Sequence, residues 1–159
     1  MGDFYVGGSP AMTSKDETWT TPRKTFDDLN KEFNFGLDAA ALQSSALCAF
    51  WYGPDNPEEQ YQDAFTRNWY KDCSDRSITT VFLNPPYGRT IKQWMKKAHE
   101  EALKGLTIVC LVPARTDTSW WWDSCIMHEV RFVRGRLKFG GGNAAPFPSA
   151  IVVMKPNGN

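Results

Sequence analysis

The chain has 159 residues, 42% hydrophobic and 14% aromatic, with 18 basic and 18 acidic side chains that cancel; that length allows one substantial core and argues against two independent domains. No run of about 18 apolar residues is present to span a membrane, and the N-terminus lacks the basic-then-apolar order of a secretory signal, which reads as an intracellular, cytoplasmic protein. Cys48, Cys73, Cys110 and Cys125 form no Cys-x-x-Cys pair and His99 and His128 show no ligand spacing, so reduced thiols and no metal are expected.

Residues 1–17 mix Gly, Ser, Thr and charges without apolar periodicity and read as a flexible lead-in, with residues 18–156 as a single domain. After Pro22, Thr25 and Asp28 suggest a helix start, and Phe26, Leu29 and Phe33 share one face of the turns that follow. Phe35-Gly36-Leu37-Asp38 reads as a short strand. The Ala39-Ala40-Ala41 run leads into a predicted short helix over 45–50, closed by Gly53-Pro54. From Asp55 to Asp75 the sequence is polar and aperiodic, which predicts loop with one helical turn near 61–65.

Thr79 to Leu83 has the β-branched and aromatic content of a buried strand, and it stops at Asn84-Pro85-Pro86-Tyr87-Gly88. Proline does not continue a central strand, so this tetrapeptide belongs on the loop beyond the strand's carboxyl end. Ile91, Trp94, Met95, Ala98 and Ala102 follow helical spacing up to a Lys104-Gly105 cap. Thr107 to Val112 is continuously apolar, as suits a parallel strand covered on both faces, and Pro113 follows it. A helix is expected from Trp120, then strands over 130–133, 136–139 and 150–154, with Gly140-Gly141-Gly142 as a connection. The order implies an α/β domain with a mainly parallel sheet and an antiparallel edge.

The acids Asp55, Glu58, Glu59, Asp63, Asp72 and Asp75 crowd the middle of the chain, whereas none follows Glu129. The acid-free tail carries Arg131, Arg134, Arg136, Lys138 and Lys155, which suits phosphate contact or, alternatively, a solvated strand edge. Trp120, Trp121 and Trp122 cannot all face one core, since helical neighbours differ by about 100 degrees. At least one is expected at the surface, to stack on a base or to meet a partner.

Three predicted strand ends carry polar or proline-containing sequence: Asp38, Asn84 to Tyr87, and Pro113-Ala114-Arg115. Open α/β sheets gather ligands at such ends. Asn-Pro-Pro-Tyr offers a mechanism for an amine conjugated to a ring or carbonyl, whose delocalised lone pair makes it a poor nucleophile. The Asn84 side-chain oxygen and the Pro85 carbonyl can each accept one N–H, drawing the nitrogen toward tetrahedral geometry and stabilising the positive charge that grows on it. Pro85 and Pro86 stiffen the loop, and Tyr87 offers a flat face for an extruded base. The structural alternative is a rigid turn with a packed tyrosine.

From Trp19 to Met154 the sequence resembles the compact phage-type Dam family of DNA N6-adenine methyltransferases. Four blocks carry the resemblance: Trp19-Thr20-Thr21-Pro22, Phe35-Gly36-Leu37-Asp38-Ala39-Ala40-Ala41, Val81 to Gly88, and Gly135-Arg136-Leu137-Lys138-Phe139 with Ala145-Pro146-Phe147-Pro148-Ser149-Ala150. The resemblance implies a compact Rossmann-like methyltransferase fold, S-adenosylmethionine as donor, adenine in DNA as acceptor, no metal, and a bacteriophage or prophage origin. It places Trp19, Thr20 and Pro22 beside the methionine portion of the cofactor, where an aromatic also suits a sulfonium, and Asp38 with Ala39 at the cofactor's ammonium end. Trp19 as an anchor for the N-terminus and Asp38 as a helix cap are the alternatives.

The chain departs from larger methyltransferases in having alanines rather than a glycine-rich loop after Asp38, and only 45 residues between Asp38 and Asn84, which implies a shortened central region. That leaves three candidates for the ribose-binding acid, Asp63 first and Asp55 and Glu58 behind it. Arg89, Arg115, Arg134, Arg136 and Lys138 are candidate phosphate contacts, and base readout falls to loops over 114–124 or 139–148. The same tetrapeptide also serves a protein glutamine amide or an RNA amine, and a non-catalytic DNA-binding remnant is a further alternative.

Overall fold

The computed structural model describes residues 19–157, so the lead-in expected over residues 1–17 lies outside the described residues. Helix α1 (Arg23–Phe33) begins directly after Pro22, two residues before the predicted start, and no side chain caps it. Pro22 accounts for the early start, because its fixed φ suits the entry to a helix and its carbonyl already accepts from Phe26 N–H at 3.1 Å. Asn34 ends the helix in the left-handed region, and the Asn30 side chain accepts from Phe35 N–H at 2.7 Å. Phe26 is buried against Phe35 and Phe82, which fixes α1 on the sheet.

Strands β1 (Leu37–Asp38) and β2 (Phe50–Trp51) are only two residues long, so Phe35 and Gly36 precede the strand rather than belong to it. The helix predicted over 45–50 does not form: the segment is a turn followed by bends, and its end is β2. Backbone groups that a helix would have paired internally go elsewhere. Leu47 N–H donates to the Asp38 carboxylate at 3.0 Å and Ala41 N–H to the Tyr52 carbonyl at 2.9 Å.

The segment predicted as loop with one helical turn holds more structure. Two 3-10 turns (Glu59–Tyr61 and Ala64–Thr66) precede α2 (Trp69–Ser74), whose N-cap Asn68 accepts from Lys71 N–H at 3.0 Å. A buried Asp72 braces this region, accepting from Tyr52 Oη at 2.7 Å and from Arg67 Nε and Nη2 at 2.9 and 2.8 Å. Burial opposes ionisation of Asp72, but those donors outweigh it and hold its carboxyl below the ordinary range.

Strand β3 (Thr80–Leu83), helix α3 (Ile91–Lys104) and strand β4 (Thr107–Pro113) match the sequence pattern closely. The buried face of α3 is Ile91, Trp94, Met95, Ala98 and Ala102, joined by Glu101, which is neutralised by Lys97 and Lys104. Helix α4 (Ser119–Ser124) buries Trp120 and Trp121 and leaves Trp122 60% exposed, as the helical angle between neighbours requires. Strands β5 (Glu129–Phe132) and β6 (Ser149–Met154) complete the sheet. The strand predicted over 136–139 is absent. That stretch is irregular and ends in a 3-10 turn, with Arg136 donating to the Ala145 carbonyl and Ala145 N–H to the Leu137 carbonyl.

The sheet order is β2-β1-β3-β4-β6-β5, with the first four strands parallel. The antiparallel strand is β6, and it is not an edge: it lies between β4 and β5 and is buried along its whole length. The edge is β5, where Arg131 is held by Glu32 of α1 in a two-bond pair at 2.8 Å. Because β1 has β2 on one side and β3 on the other, the chain order reverses there, which makes the carboxyl ends of β1 and β3 the position where such sheets bind ligands.

Candidate active site

A cavity of about 430 Å3 opens at that position, within the size range of small-molecule sites. Its walls come from the segment 19–21, the turn 38–47 after β1, Tyr52 to Pro54 after β2, residues 62–65, Asn84 and Pro86 after β3, and Trp94 of α3. Parallel register sets the depth: Asp38 lies opposite Trp51 on one side and Phe82 on the other, so β1 ends level with β2 and one residue short of β3. Gly53 lets the two turns approach, since a Cβ there would stand 1.7 Å from the Ala41 carbonyl oxygen. No side chain other than hydrogen fits this crossing.

Asp38 is 3% exposed and accepts from Leu47 N–H at 3.0 Å and Ala40 N–H at 3.4 Å. Burial pushes its carboxyl up to about 7, against the opposing pull of those two donors. No cationic side chain pairs with it among the described hydrogen bonds and ion pairs, so a positive group entering the cavity would favour its charged form. Ala39 lines the same wall.

Asn84 sits half-buried just past β3. Its Nδ2 donates to the Trp19 carbonyl at 2.6 Å and to Thr21 Oγ1 at 2.9 Å, whereas Oδ1 is buried and has no partner. A buried acceptor left open is costly. Asn84 is also among the residues that line the cavity. Pro85 is buried and Pro86 lines the cavity, in the irregular stretch that follows β3.

Tyr87 does not present the open face expected for a base. It is 1% exposed, and its ring is enclosed by Trp19 at 6.5 Å and, edge-on, by Phe147 at 5.5 Å and Phe139 at 6.0 Å. Its hydroxyl donates to the Leu111 carbonyl at 3.0 Å. Tyr87 therefore anchors the loop to β4, and the packed tyrosine that the sequence left as an alternative is the arrangement found. Trp19 shares this cluster and lines the cavity with Thr20, while Pro22 starts α1 outside the lining.

Of the three acids considered after β2, Asp63 lines the cavity, where it caps a 3-10 turn by accepting from Phe65 N–H at 2.9 Å. Asp55 instead accepts from Gln43 N–H at 3.0 Å, and neither it nor Glu58 is in the lining. Phe65 and Trp94, with ring centres 4.6 Å apart, form an aromatic wall beside Asp63 that sequence reading missed, because a loop residue and a helix residue 29 positions apart share no local pattern. Thr21 and Gly53, which the sequence reading names only within a block and as a stop signal, also line the cavity.

Arg89, Arg134, Arg136 and Lys138 are exposed. Arg115 lies over the Phe147 ring at 5.9 Å, which places it beside the Tyr87 cluster, and Gly140 N–H donates to the Thr20 carbonyl at 3.1 Å, which ties the basic loop to the cavity rim. Arg131 belongs to the ion pairs on β5 instead. Among the described residues no group of three or more His, Cys, Asp or Glu side chains could hold a metal ion, and no helix is long and apolar enough to cross a membrane.

The mixed α/β architecture, with its six-stranded sheet, is compatible with a methyltransferase. No curated protein matches the chain. The family model described as DNA N-6-adenine-methyltransferase (Dam) matches residues 8–155, nearly the whole length, and the chain accordingly belongs to this family of DNA adenine methyltransferases.

Proposed function

We propose that the protein transfers a methyl group from S-adenosylmethionine to the exocyclic amine of an adenine turned out of DNA, on a compact Rossmann-like scaffold. The observation that carries this reading is the unpartnered Oδ1 of Asn84, a residue that lines the same cavity as the buried Asp38 at the adjoining strand end. An acceptor for an amine and an anion for a cation stand in one chamber of cofactor size.

The residues fit the cofactor by their chemistry. Asp38 would take its ammonium, Asp63 its ribose hydroxyls, and the Phe65–Trp94 wall its adenine ring, with Trp19 and Thr20 beside the methionine portion. The bound cofactor supplies an electrophilic methyl on a positively charged sulfur. Asn84 Oδ1 and the Pro85 carbonyl accept the two N–H bonds of the target amine and turn its lone pair toward that methyl. Transfer would form the N–C bond as the S–C bond breaks and would leave positive charge on the nitrogen, which both acceptors would bind more strongly than the neutral amine. The excess proton then leaves the nitrogen for solvent. Arg89, Arg115, Arg134, Arg136 and Lys138 hold phosphates around the rim, which orients the duplex without reading its sequence. Tyr87 contributes by fixing the Asn84 loop rather than by stacking.

The test is transfer of labelled methyl from S-adenosylmethionine to unmethylated genomic DNA, RNA and cell protein compared side by side. N6-methyladenine in the DNA alone is the expected result. Label confined to RNA or protein would reject the substrate, and the absence of saturable cofactor binding would reject the enzyme.

A further inference from the structure

An asparagine amide is useful as an acceptor only if its oxygen points the right way, and nothing in Asn-Pro-Pro-Tyr itself sets that direction. The surroundings of Asn84 do. The Trp19 carbonyl can only accept, so an Asn84 oxygen turned toward it would bring two acceptors to 2.6 Å; the edge facing Trp19 must be the NH2. Its second N–H goes to Thr21 Oγ1 at 2.9 Å. Both donors are thereby consumed within the protein, and the one remaining polar atom, Oδ1, is the buried atom without a partner.

Thr21 is itself held from two sides. Pro22 follows it into α1, where its carbonyl accepts from Phe26 N–H at 3.1 Å, and the Thr20 carbonyl accepts from Gly140 N–H at 3.1 Å. The segment 19–21 is thus clamped between a helix start and the 139–141 turn, which makes it a rigid template for a side chain over 60 residues away. A flipped amide would meet the Trp19 carbonyl repulsively and would offer NH2 to a substrate amine that has no acceptor to spare.

We infer that Thr21 is a positioning residue for methyl transfer: with the Trp19 carbonyl it locks the Asn84 amide so that Oδ1 is presented to the substrate amine. This rests on the function proposed above and adds a specific role outside the Asn-Pro-Pro-Tyr motif. It also separates Thr21 from a residue that merely touches the cofactor, although both would lie on the same wall.

The experiment compares Thr21→Val, which keeps the shape but loses the acceptor, with Thr21→Ser, which keeps the acceptor. At saturating S-adenosylmethionine and unmethylated genomic DNA, Thr21→Val should lower kcat about tenfold and leave the cofactor Kd nearly unchanged, while Thr21→Ser stays close to wild type. In the ligand-free protein, NMR should show the Asn84 side-chain NH2 pair, identified by its loss in Asn84→Asp, with slow solvent exchange in wild type and Thr21→Ser. One proton of the pair should shift and exchange faster in Thr21→Val. Wild-type kcat in Thr21→Val, a loss restored by more cofactor, an unchanged NH2 pair, or an equal loss in Thr21→Ser would each overturn the inference. Should wild type transfer no methyl to DNA, the proposed function falls, and the NH2 pair alone still decides whether Thr21 orients Asn84.

Discussion

Replacing Asn84 with alanine separates chemistry from stability. The substitution removes Oδ1, the buried acceptor proposed for the target amine, and loss of one oriented group that binds developing charge costs about 2.7–4 kcal/mol in the barrier, or roughly 100- to 1,000-fold in kcat. For stability two effects oppose each other. The Trp19 carbonyl and Thr21 Oγ1 lose their donors, at about 1–3 kcal/mol for each buried group left unpaired, while the open Oδ1 of the wild type ceases to be a burden of similar size. Asn84 and Thr21 are only half-buried, so water can reach part of the gap. The net loss should be about 1 kcal/mol, a fall in Tm of about 2–4 °C for a chain of this size. Methyl incorporation into unmethylated DNA at saturating cofactor gives kcat, isothermal titration gives the cofactor Kd, and a thermal melt gives Tm. A variant turning over within about threefold of wild type would refute the acceptor role, since no transition-state interaction would then have been lost.

Asp38 should make the protein respond to pH. Its carboxyl is raised by burial to about 7 in the folded chain, so the folded state holds the proton more tightly than the unfolded one; this stabilisation is complete below about pH 4 and is lost as pH rises through 7. Cofactor binding should run the other way, since a cation requires the ionised carboxylate: below pH 7 the Kd should rise by about tenfold per unit, and Asp38→Asn should weaken binding and flatten that dependence. An unchanged titration profile in Asp38→Asn would assign the ammonium to another group. Gly53→Ala should destabilise by about 1–3 kcal/mol or more, because its Cβ would overlap the Ala41 carbonyl and force the cavity walls apart; a thermal melt and a cofactor titration would read both effects, and an unaltered Kd would show that the crossing does not shape the site. Neutralising Arg134, Arg136 and Lys138 together should weaken binding to any DNA and reduce the slope of log affinity against log salt by about 0.9 per phosphate contact. An unchanged slope would assign these side chains to a solvated surface.

Much of this fold is written in local pattern. The apolar strands β3, β4 and β6 and the buried stripe of α3 are legible because each element carries its own period and its own stop signal, such as Gly105 after α3, which adopts a φ of 140°. The Asn84 to Tyr87 loop is legible for the same reason, as proline ends a strand wherever it occurs. Strands β1 and β2 have two residues each and almost no period to read; they exist because β3 and the Asp38 carbonyl supply pairing partners. The segments 45–50 and 136–139 carry side chains that suit helix and strand, yet their hydrogen-bond partners, the Asp38 carboxylate and the Ala145 carbonyl, lie nine residues away, beyond the i to i+4 spacing of a helix and outside any strand. Tyr87 has the composition of a stacking platform, yet Trp19, Phe139 and Phe147 converge on it from both ends of the chain and cover it. The sequence by itself determined that an acceptor-bearing, proline-stiffened loop follows a buried strand. Only the tertiary structure decided which way the Asn84 amide faces and which carboxylate shares its chamber, because both are set by hydrogen bonds and burial between segments tens of residues apart.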